Sequence, residues 1–246
     1  MKIFVISHKK VELNIPNDYQ ILSVGKYDGK IDGFLSDQDL ESISEKNKSY
    51  CELTGHYWIW KNTNYNIVGL VHYRRFFYKG SNLINNERIS KDLNKYDIIL
   101  PNKSYLRETN YSHYIKEDGG CGYDHDLKLL REIVLEKYPE YINCYDKYFN
   151  SKKTYYYNML ICKKDLFDNY SKFLFDILFE LENRVSIENY DDYHKRIFGF
   201  ISERLLNIYV MHNKLNIKEY PVYMPDTSKF SRIKIRIKNF IKKILP

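Results

Sequence analysis

The chain has 246 residues and a mass of 29.8 kDa, which fits one α/β domain or two small ones, and its 43% hydrophobic content can fill a core. The formal net charge of +7 is unevenly placed: seven of the 39 Lys and Arg lie in residues 229–246, which hold no acid, so the first 228 residues carry 32 bases and 32 acids. A neutral body argues against a globally basic nucleic-acid binder, and no apolar run approaches the roughly 18–20 residues of a membrane span.

In chain order, Met1 to His8 is too short and too soon polar for a signal peptide. Residues 2–7 read as a buried first strand. Ser7-His8-Lys9-Lys10 follows it at once, either meeting a base or phosphate or forming a solvated loop. Residues 14–48 are polar and irregular, with Gly25, Gly29 and Gly33. Ser49 and Glu52 have capping-box spacing. The helix they open carries Tyr50, Leu53, Tyr57 and Trp60 on one stripe and ends near Asn62-Thr63-Asn64. Residues 66–71 form the next strand and residues 96–100 another, stopped by Pro101. Helices are expected over 126–137, 165–183 and 191–212, with a strand over 155–162. In the 165–183 helix, Leu166, Tyr170, Phe173, Leu174, Ile177, Leu178 and Leu181 face inward. Strands alternating with helices imply an α/β fold with a mostly parallel sheet, whose ligands sit beyond the carboxyl ends of the strands.

Some signals carry little. The chain has no alanine and 25 tyrosines, a bias that follows AT-rich codons, so tyrosine abundance alone does not mark a stacking surface. Cys51, Cys121, Cys144 and Cys162 lack CxxC spacing and read as reduced thiols. There is no GxGxxG and no GxxxxGK[ST] phosphate loop.

Four constellations could carry chemistry. Val68-Gly69-Leu70-Val71-His72-Tyr73-Arg74-Arg75 delivers a histidine and two guanidiniums to a strand end, where arginine forks suit phosphate oxygens. The other reading pairs those arginines with acids on neighbouring helices. The second constellation is Ser7-His8-Lys9-Lys10. In the third, Asp192, Arg196, Gly199 and Glu203 share one stripe of the 191–212 helix, opposite Phe198, Ile201, Leu205 and Ile208. A carboxylate there can serve as a general base, or Asp192 and Arg196 form a surface ion pair. The fourth, Asp124-His125-Asp126, has a metal-binding DxD pattern. It follows Gly119-Gly120-Cys121-Gly122-Tyr123 rather than an apolar strand, so a helix N-cap at Asp124 or Asp126 fits it better.

Ile43-Ser44-Glu45-Lys46-Asn47, Tyr50-Cys51-Glu52-Leu53-Thr54, Tyr57-Trp58-Ile59-Trp60-Lys61-Asn62 and the strand ending His72-Tyr73-Arg74-Arg75-Phe76-Phe77 together resemble the DUF4422 family of bacterial polysaccharide-biosynthesis glycosyltransferases. Tyr96-Asp97-Ile98-Ile99-Leu100-Pro101, Tyr111-Ser112-His113-Tyr114, Asn158-Met159, Tyr190-Asp191-Asp192-Tyr193 and Phe198 to Leu206 continue the resemblance in order, over about residues 1–225. The resemblance implies a GT-A-like fold and sugar transfer in capsule or O-antigen assembly. UDP-galactofuranose is the implied donor and a lipid-linked glycan the acceptor. Residues 119–122 depart from the usual family pattern.

On these grounds the nucleotide sugar is expected to meet Ser7, His8, Lys9, Asn47, Thr54, Lys61, His72, Tyr73, Arg74, Arg75 and Arg204, and the acceptor Tyr111, His113 and Tyr114. Asp192 is the expected base, with Asp191 beside it, Glu203 next in line and Arg204 as an organiser. GT-A enzymes usually end a central strand in a metal-binding DxD. Here the strand ends in cations, so no metal is expected to be required; Mn or Mg held by Asp124 and Asp126 is the other reading.

In the tail, Phe230, Ile233, Ile237, Phe240 or Ile241, and Ile244 recur at helical spacing with bases opposite, as in a helix that lies on anionic lipid. A docked helix, an edge strand and a disordered tail are the alternatives. The expected organisation is a transferase domain over 1–228 and a membrane-associating tail over 229–246, at the cytoplasmic face of the membrane, with no nucleic-acid partner. The rival reading is a non-catalytic module binding membrane surface or nucleic acid.

Overall fold

The computed structural model describes residues 1–13, 15–25, 33–80 and 82–225. Gly29 and the basic tail, residues 229–246, lie outside the described residues. The strands are β1 (Lys2–Ser7), β2 (Tyr19–Ser23), β3 (Leu35–Ser36), β4 (Ile67–His72), β5 (Phe76–Lys79), β6 (Asn82–Leu83), β7 (Ile98–Pro101), β8 (Ser104–Tyr105), β9 (Lys153–Thr154), β10 (Leu160–Lys163), β11 (Ile217–Tyr220) and β12 (Val222–Tyr223). The helices are α1 (Asn47–Tyr50), α2 (Leu53–Asn62), α3 (Asn86–Leu93), α4 (Asn110–Ile115), α5 (Asp124–Lys137), α6 (Ile142–Phe149), α7 (Lys164–Arg184) and α8 (Ile197–His212).

Seven strands form the central sheet in the order β11-β7-β10-β4-β1-β2-β3. Every neighbouring pair is parallel except those of β10, which runs antiparallel to both β4 and β7. The expected mixed α/β architecture with a mostly parallel sheet is therefore present. Its inner strands are apolar on both faces because both faces are covered. Ile3, Val5, Val71, Ile99 and Ile161 pack on one side, with Phe77, Ile84 and Ile89. Phe4, Ile6, Val68, Leu70, Ile98 and Leu160 pack on the other, with residues of α2, α5, α7 and α8. This is the period-two alternation of a strand read in three dimensions.

Several expectations need correction. Residues 14–48 contribute two strands to the sheet, β2 and β3. They were hidden because each is short and lies toward an edge. The 49–62 helix is two helices. Cys51 has φ +53, which breaks the helix, and α2 restarts at Leu53. The Ser49–Glu52 capping box does not form: Ser49 Oγ donates to the Lys46 carbonyl, while Glu52 accepts from Asn158. The buried face of α2 is Leu53, Thr54, Gly55, His56, Trp58 and Ile59, with Tyr57 and Trp60 only half-buried. The 155–162 strand is interrupted, since Tyr157 and Asn158 both have positive φ and β10 begins at Leu160. Strand, 165–183 helix and central-strand expectations otherwise match within a few residues. The four cysteines are unpaired. Among the described residues, no helix is long and apolar enough to cross a membrane.

Candidate active site

The carboxyl ends of β1, β2 and β4 lie side by side, with Ser7 opposite Ser23 and Ile6 opposite His72. A cavity of about 370 Å³ opens there, lined by His8, Asn47, Cys51, Glu52, His72, Tyr73, Arg74, Arg75 and Arg196, among others. A larger hollow, about 640 Å³, lies among Lys103, Lys147, Lys152, Lys153 and Lys214 near the C-terminal end of α8. It is lined by no carboxylate and no histidine.

The cavity is built by a tight turn. The His72 and Arg75 main chains bond each other in both directions, at 3.2 and 2.9 Å, and Tyr73 and Arg74 form the tip. The Tyr73 N–H bonds the Ile6 carbonyl at 3.0 Å, pinning the turn to β1. Arg74 lies over the Tyr73 ring and Arg75 over the Tyr157 ring, at 5.0 and 4.6 Å from the ring centroids. Among the described residues neither arginine forms an ion pair with a carboxylate. The alternative in which they pair helix acids is thus not realised. Arg196 adds a third guanidinium, its Nε donating to Cys51 Sγ at 3.2 Å. Burial and the neighbouring Glu52 push the Cys51 thiol up to about 11, so it is a neutral thiol at neutral pH.

Two histidines share this positive field. Burial, then Arg74, Lys9 and Arg196, lower the pKa of His8. Its ring meets Tyr73 edge-on at 5.2 Å. Burial also lowers the pKa of His72, with Glu52 opposing and Arg75 adding to the shift. Glu52 lines the same cavity as the arginines. Asn158 Nδ2 donates to Glu52 Oε1 at 2.8 Å and also to the Gly199 carbonyl at 3.1 Å. This holds the carboxylate in place while leaving Oε2 for other partners.

Asn47 belongs to the wall and is fixed by bonds from Nδ2 to the Cys51 carbonyl (2.7 Å) and Thr54 Oγ1 (3.0 Å). Gly25, with φ +82, lets the chain pass against it: a Cβ there would lie 2.6 Å from Asn47 Oδ1. Ser7 bonds within the turn it opens, to the Lys9 carbonyl and from the Lys9 N–H. Lys9 Nζ lies 5.1 Å from the Tyr73 ring centroid. Thr54 is fully buried behind the wall.

Other expected residues are not brought here. Lys61 is at the far end of α2, about 12 Å along its axis from Leu53; it rests on Trp60 and pairs with Glu41 at 3.4 Å. Asp192 does not share a helical stripe with Glu203, because α8 begins at Ile197 and Asp192 is exposed in the turn before it. The helical period was carried too far toward the N-terminus. Asp191 bonds the Tyr193 and His194 N–H groups and His194 Nδ1, closing that turn. Glu203 does not line the cavity; it accepts from the Tyr157 N–H at 2.8 Å and from Arg204 at 2.9 Å. Burial raises its pKa, and Arg204 opposes the shift. Arg204 is 3% exposed and bonds the Phe200 carbonyl, Glu203 and Cys121 instead of opening on the cavity.

Of the acceptor candidates, Tyr111 donates to Asp124 and His113 bonds Glu108 at 2.9 Å. Tyr114 is fully buried beneath the glycine-rich loop, where a Cβ on Gly122 would lie 2.5 Å from its hydroxyl. Asp124 and Asp126 are occupied. Asp124 pairs with Lys128, and Asp126 accepts from the Tyr123 N–H (2.8 Å) and the Tyr190 hydroxyl (2.6 Å). The cap residue of α5 is Tyr123, with Asp126 supplying the capping carboxylate, so neither aspartate is itself the N-cap. Among the described residues no group of three or more His, Cys, Asp and Glu side chains could hold a metal ion.

Glu52 and Asn158 are the site residues that sequence reasoning missed. The Ser49–Glu52 spacing points to a capping box instead of a cavity residue. Asn158 lies in the Asn158-Met159 pair of the family resemblance, but nothing in its local spacing points to a left-handed turn.

The chain matches the model of DUF4422, described as a domain of unknown function, over residues 2–214, and therefore belongs to that family. It is similar to the solved apo structure of WbbM, described as a bifunctional glycosyltransferase, with 31% identity and a TM-score of 0.82 over 92% of this chain and 45% of that one. The chain thus spans less than half the length of that protein. It also aligns with the mannosyltransferase Ktr4p from S. cerevisiae over 84% of this chain and 62% of that one, at 11% identity and a TM-score of 0.35. No curated protein matches.

Proposed function

We propose that this DUF4422 member is a glycosyltransferase that moves a sugar from a UDP-sugar donor to a hydroxyl of a lipid-linked glycan, with galactofuranose as the donor sugar, in capsule or O-antigen assembly. The observation that carries the reading is the cavity at the ends of β1 and β4, which Arg74 and Arg75, free of carboxylate partners among the described residues, line together with Glu52. The likeness to WbbM supports the reaction class. The family resemblance supports the sugar and the acceptor class.

In this reading the guanidiniums of Arg74, Arg75 and Arg196 hold the diphosphate in place of a divalent metal. Glu52 takes the base role first assigned to Asp192. It removes the proton of the acceptor hydroxyl as that oxygen bonds the anomeric carbon. The bond from the anomeric carbon to the diphosphate breaks, and UDP leaves with the electron pair, its charge held by the arginines. Residues 1–228 do this chemistry, and the basic tail 229–246 holds them to the cytoplasmic face of the membrane.

A panel of nucleotide sugars tests the reading by thermal shift, followed by UDP release with native lipid-linked acceptors. UDP-galactofuranose is expected to give the largest shift and acceptor-dependent UDP release. Absence of any nucleotide-sugar binding would remove the transferase reading, while turnover with a different sugar would correct only the donor.

A further inference from the structure

Three tyrosines are exposed among the described residues, Tyr65, Tyr123 and Tyr193. Two of the three flank one ring. His194 lies between Tyr123, at 4.9 Å, and Tyr193, at 5.3 Å. Tyr123 continues outward to His125, its ring 5.6 Å away and within 6° of parallel. Tyr193 continues inward to Phe200, at 5.0 Å, and the guanidinium of Arg196 lies 5.5 Å from the Phe200 ring. Arg196 is also part of the cavity wall. A row of aromatic rings thus leads from the cavity onto the surface. In a chain where nearly all described tyrosines are at least half-buried, two exposed ones in a single row are not explained by codon bias.

Polar groups lie in the row and beside it. The Asp191 side chain is 58% exposed and the His125 side chain 64% exposed. Aromatic faces are electron-rich and attract the slightly positive C–H edges of a sugar ring, while carboxylate and imidazole groups bond its hydroxyls. A mixed strip of this kind suits a ligand that is apolar on its ring faces and polar at its rim. Two exposed tyrosines and an exposed histidine in one row that reaches a polar cavity are more than scattered exposure.

We propose that the row Tyr123, His125, His194, Tyr193 and Phe200 is the acceptor-binding platform, on which an extended glycan lies with its end directed past Arg196 into the cavity. This rests on the transferase reading for the cavity itself. It moves the acceptor from α4, where Tyr111, His113 and Tyr114 are engaged in the fold, to the surface between α5 and α8.

The test is binding of short galacto-oligosaccharides by saturation-transfer NMR, with UDP binding measured in parallel on the full chain. Tyr123→Ala/Tyr193→Ala is expected to lose at least tenfold in glycan affinity and to keep its UDP affinity and melting temperature. Tyr123→Phe/Tyr193→Phe, which keeps the ring faces, is expected to retain glycan binding. Tyr65→Ala, an exposed tyrosine off the row, is expected to change nothing. Unchanged glycan affinity in the alanine double variant, or no glycan binding by a wild-type chain that binds UDP, would overturn the platform. Loss of UDP binding by the wild type would instead overturn the donor reading, and the glycan measurement would still decide the platform.

Discussion

His72 Nε2 donates to the main-chain carbonyl of Tyr157 across 2.6 Å. A carbonyl only accepts, so Nε2 carries the proton, and burial keeps the ring neutral by lowering its pKa. The bond ties the end of β4 to a left-handed pair, Tyr157 (φ +82) and Asn158 (φ +50). Such conformations cost non-glycine residues about 1–3 kcal/mol each and persist only where their surroundings fix them. Here the surroundings are Glu203 on the Tyr157 N–H and Glu52 on the Asn158 amide. One strained turn therefore sets the position of both the histidine and the proposed base.

If Glu52 is the base, Glu52→Gln keeps a side chain that can still bond Asn158 but cannot take a proton. Turnover is expected to fall about 10²–10⁴-fold, with UDP-sugar affinity unchanged. Single-turnover kinetics alongside calorimetric donor binding would show it. Near-normal turnover would return the role to another carboxylate.

Glu203 is expected to act on stability first. Replacing it with Gln leaves Arg204, 3% exposed, without its carboxylate. Breaking a buried pair in this way costs about 3–5 kcal/mol. Chemical denaturation would measure the loss, and a change below about 1 kcal/mol would contradict the pairing.

The donor's affinity should depend on pH through His8. In the free protein, burial and the cations Arg74, Lys9 and Arg196 lower its pKa. A bound diphosphate offsets those cations and favours the imidazolium, so the complex takes up a proton. UDP-sugar affinity is expected to rise as pH falls from about 8 through the ordinary histidine range near 6.5. His8→Gln is expected to flatten that slope in a calorimetric series.

Asp37 gives a stability prediction of the opposite kind to most carboxylates. Burial raises its pKa to about 6, against the bonds it accepts from Thr54 and the Gly25 N–H. The folded state then binds the proton more tightly than the unfolded chain. Its contribution is present below about pH 4 and is lost as pH rises through about 6, to the extent of about 3 kcal/mol. Buried His56, pushed down to about 3 by burial, slopes the other way and loses stability as pH falls below about 6.5. The difference between Asp37→Asn and wild type isolates the contribution of Asp37. The variant is expected to gain relative stability between about pH 4 and 7, and a flat difference would contradict it.

Much of this was legible in the sequence. The apolar runs of β1, β4 and β7 and the stripe of α7 report burial directly, because their periods match the element. His72, Arg74 and Arg75 were legible because a central strand ends in them. The remainder depended on tertiary geometry. Cys51 breaks a helix whose hydrophobic stripe runs on past it, so Glu52 was assigned to a cap rather than to the cavity. Asp192 fell on the right helical phase, yet Asp191 closes a turn that delays α8 to Ile197. Tyr157 and Asn158 adopt left-handed angles that no local residue type demands, only their partners Glu203 and Glu52. Burial separated the aromatic residues: Tyr114 lies in the core, whereas Tyr123 and Tyr193 reach the surface.

The central claim is that Arg74 and Arg75 hold a nucleotide diphosphate without a divalent metal. Calorimetric titration of UDP into the full chain in EDTA tests it, for the wild type and for Arg74→Ala/Arg75→Ala. The account predicts saturable binding by the wild type in EDTA and a loss of at least about 100-fold in the double variant, with its melting temperature retained; each charged hydrogen bond removed is worth about 1.5–3 kcal/mol, and two arginines are removed. Binding that requires Mn²⁺ or Mg²⁺, or a double variant that binds as tightly as the wild type, would contradict it.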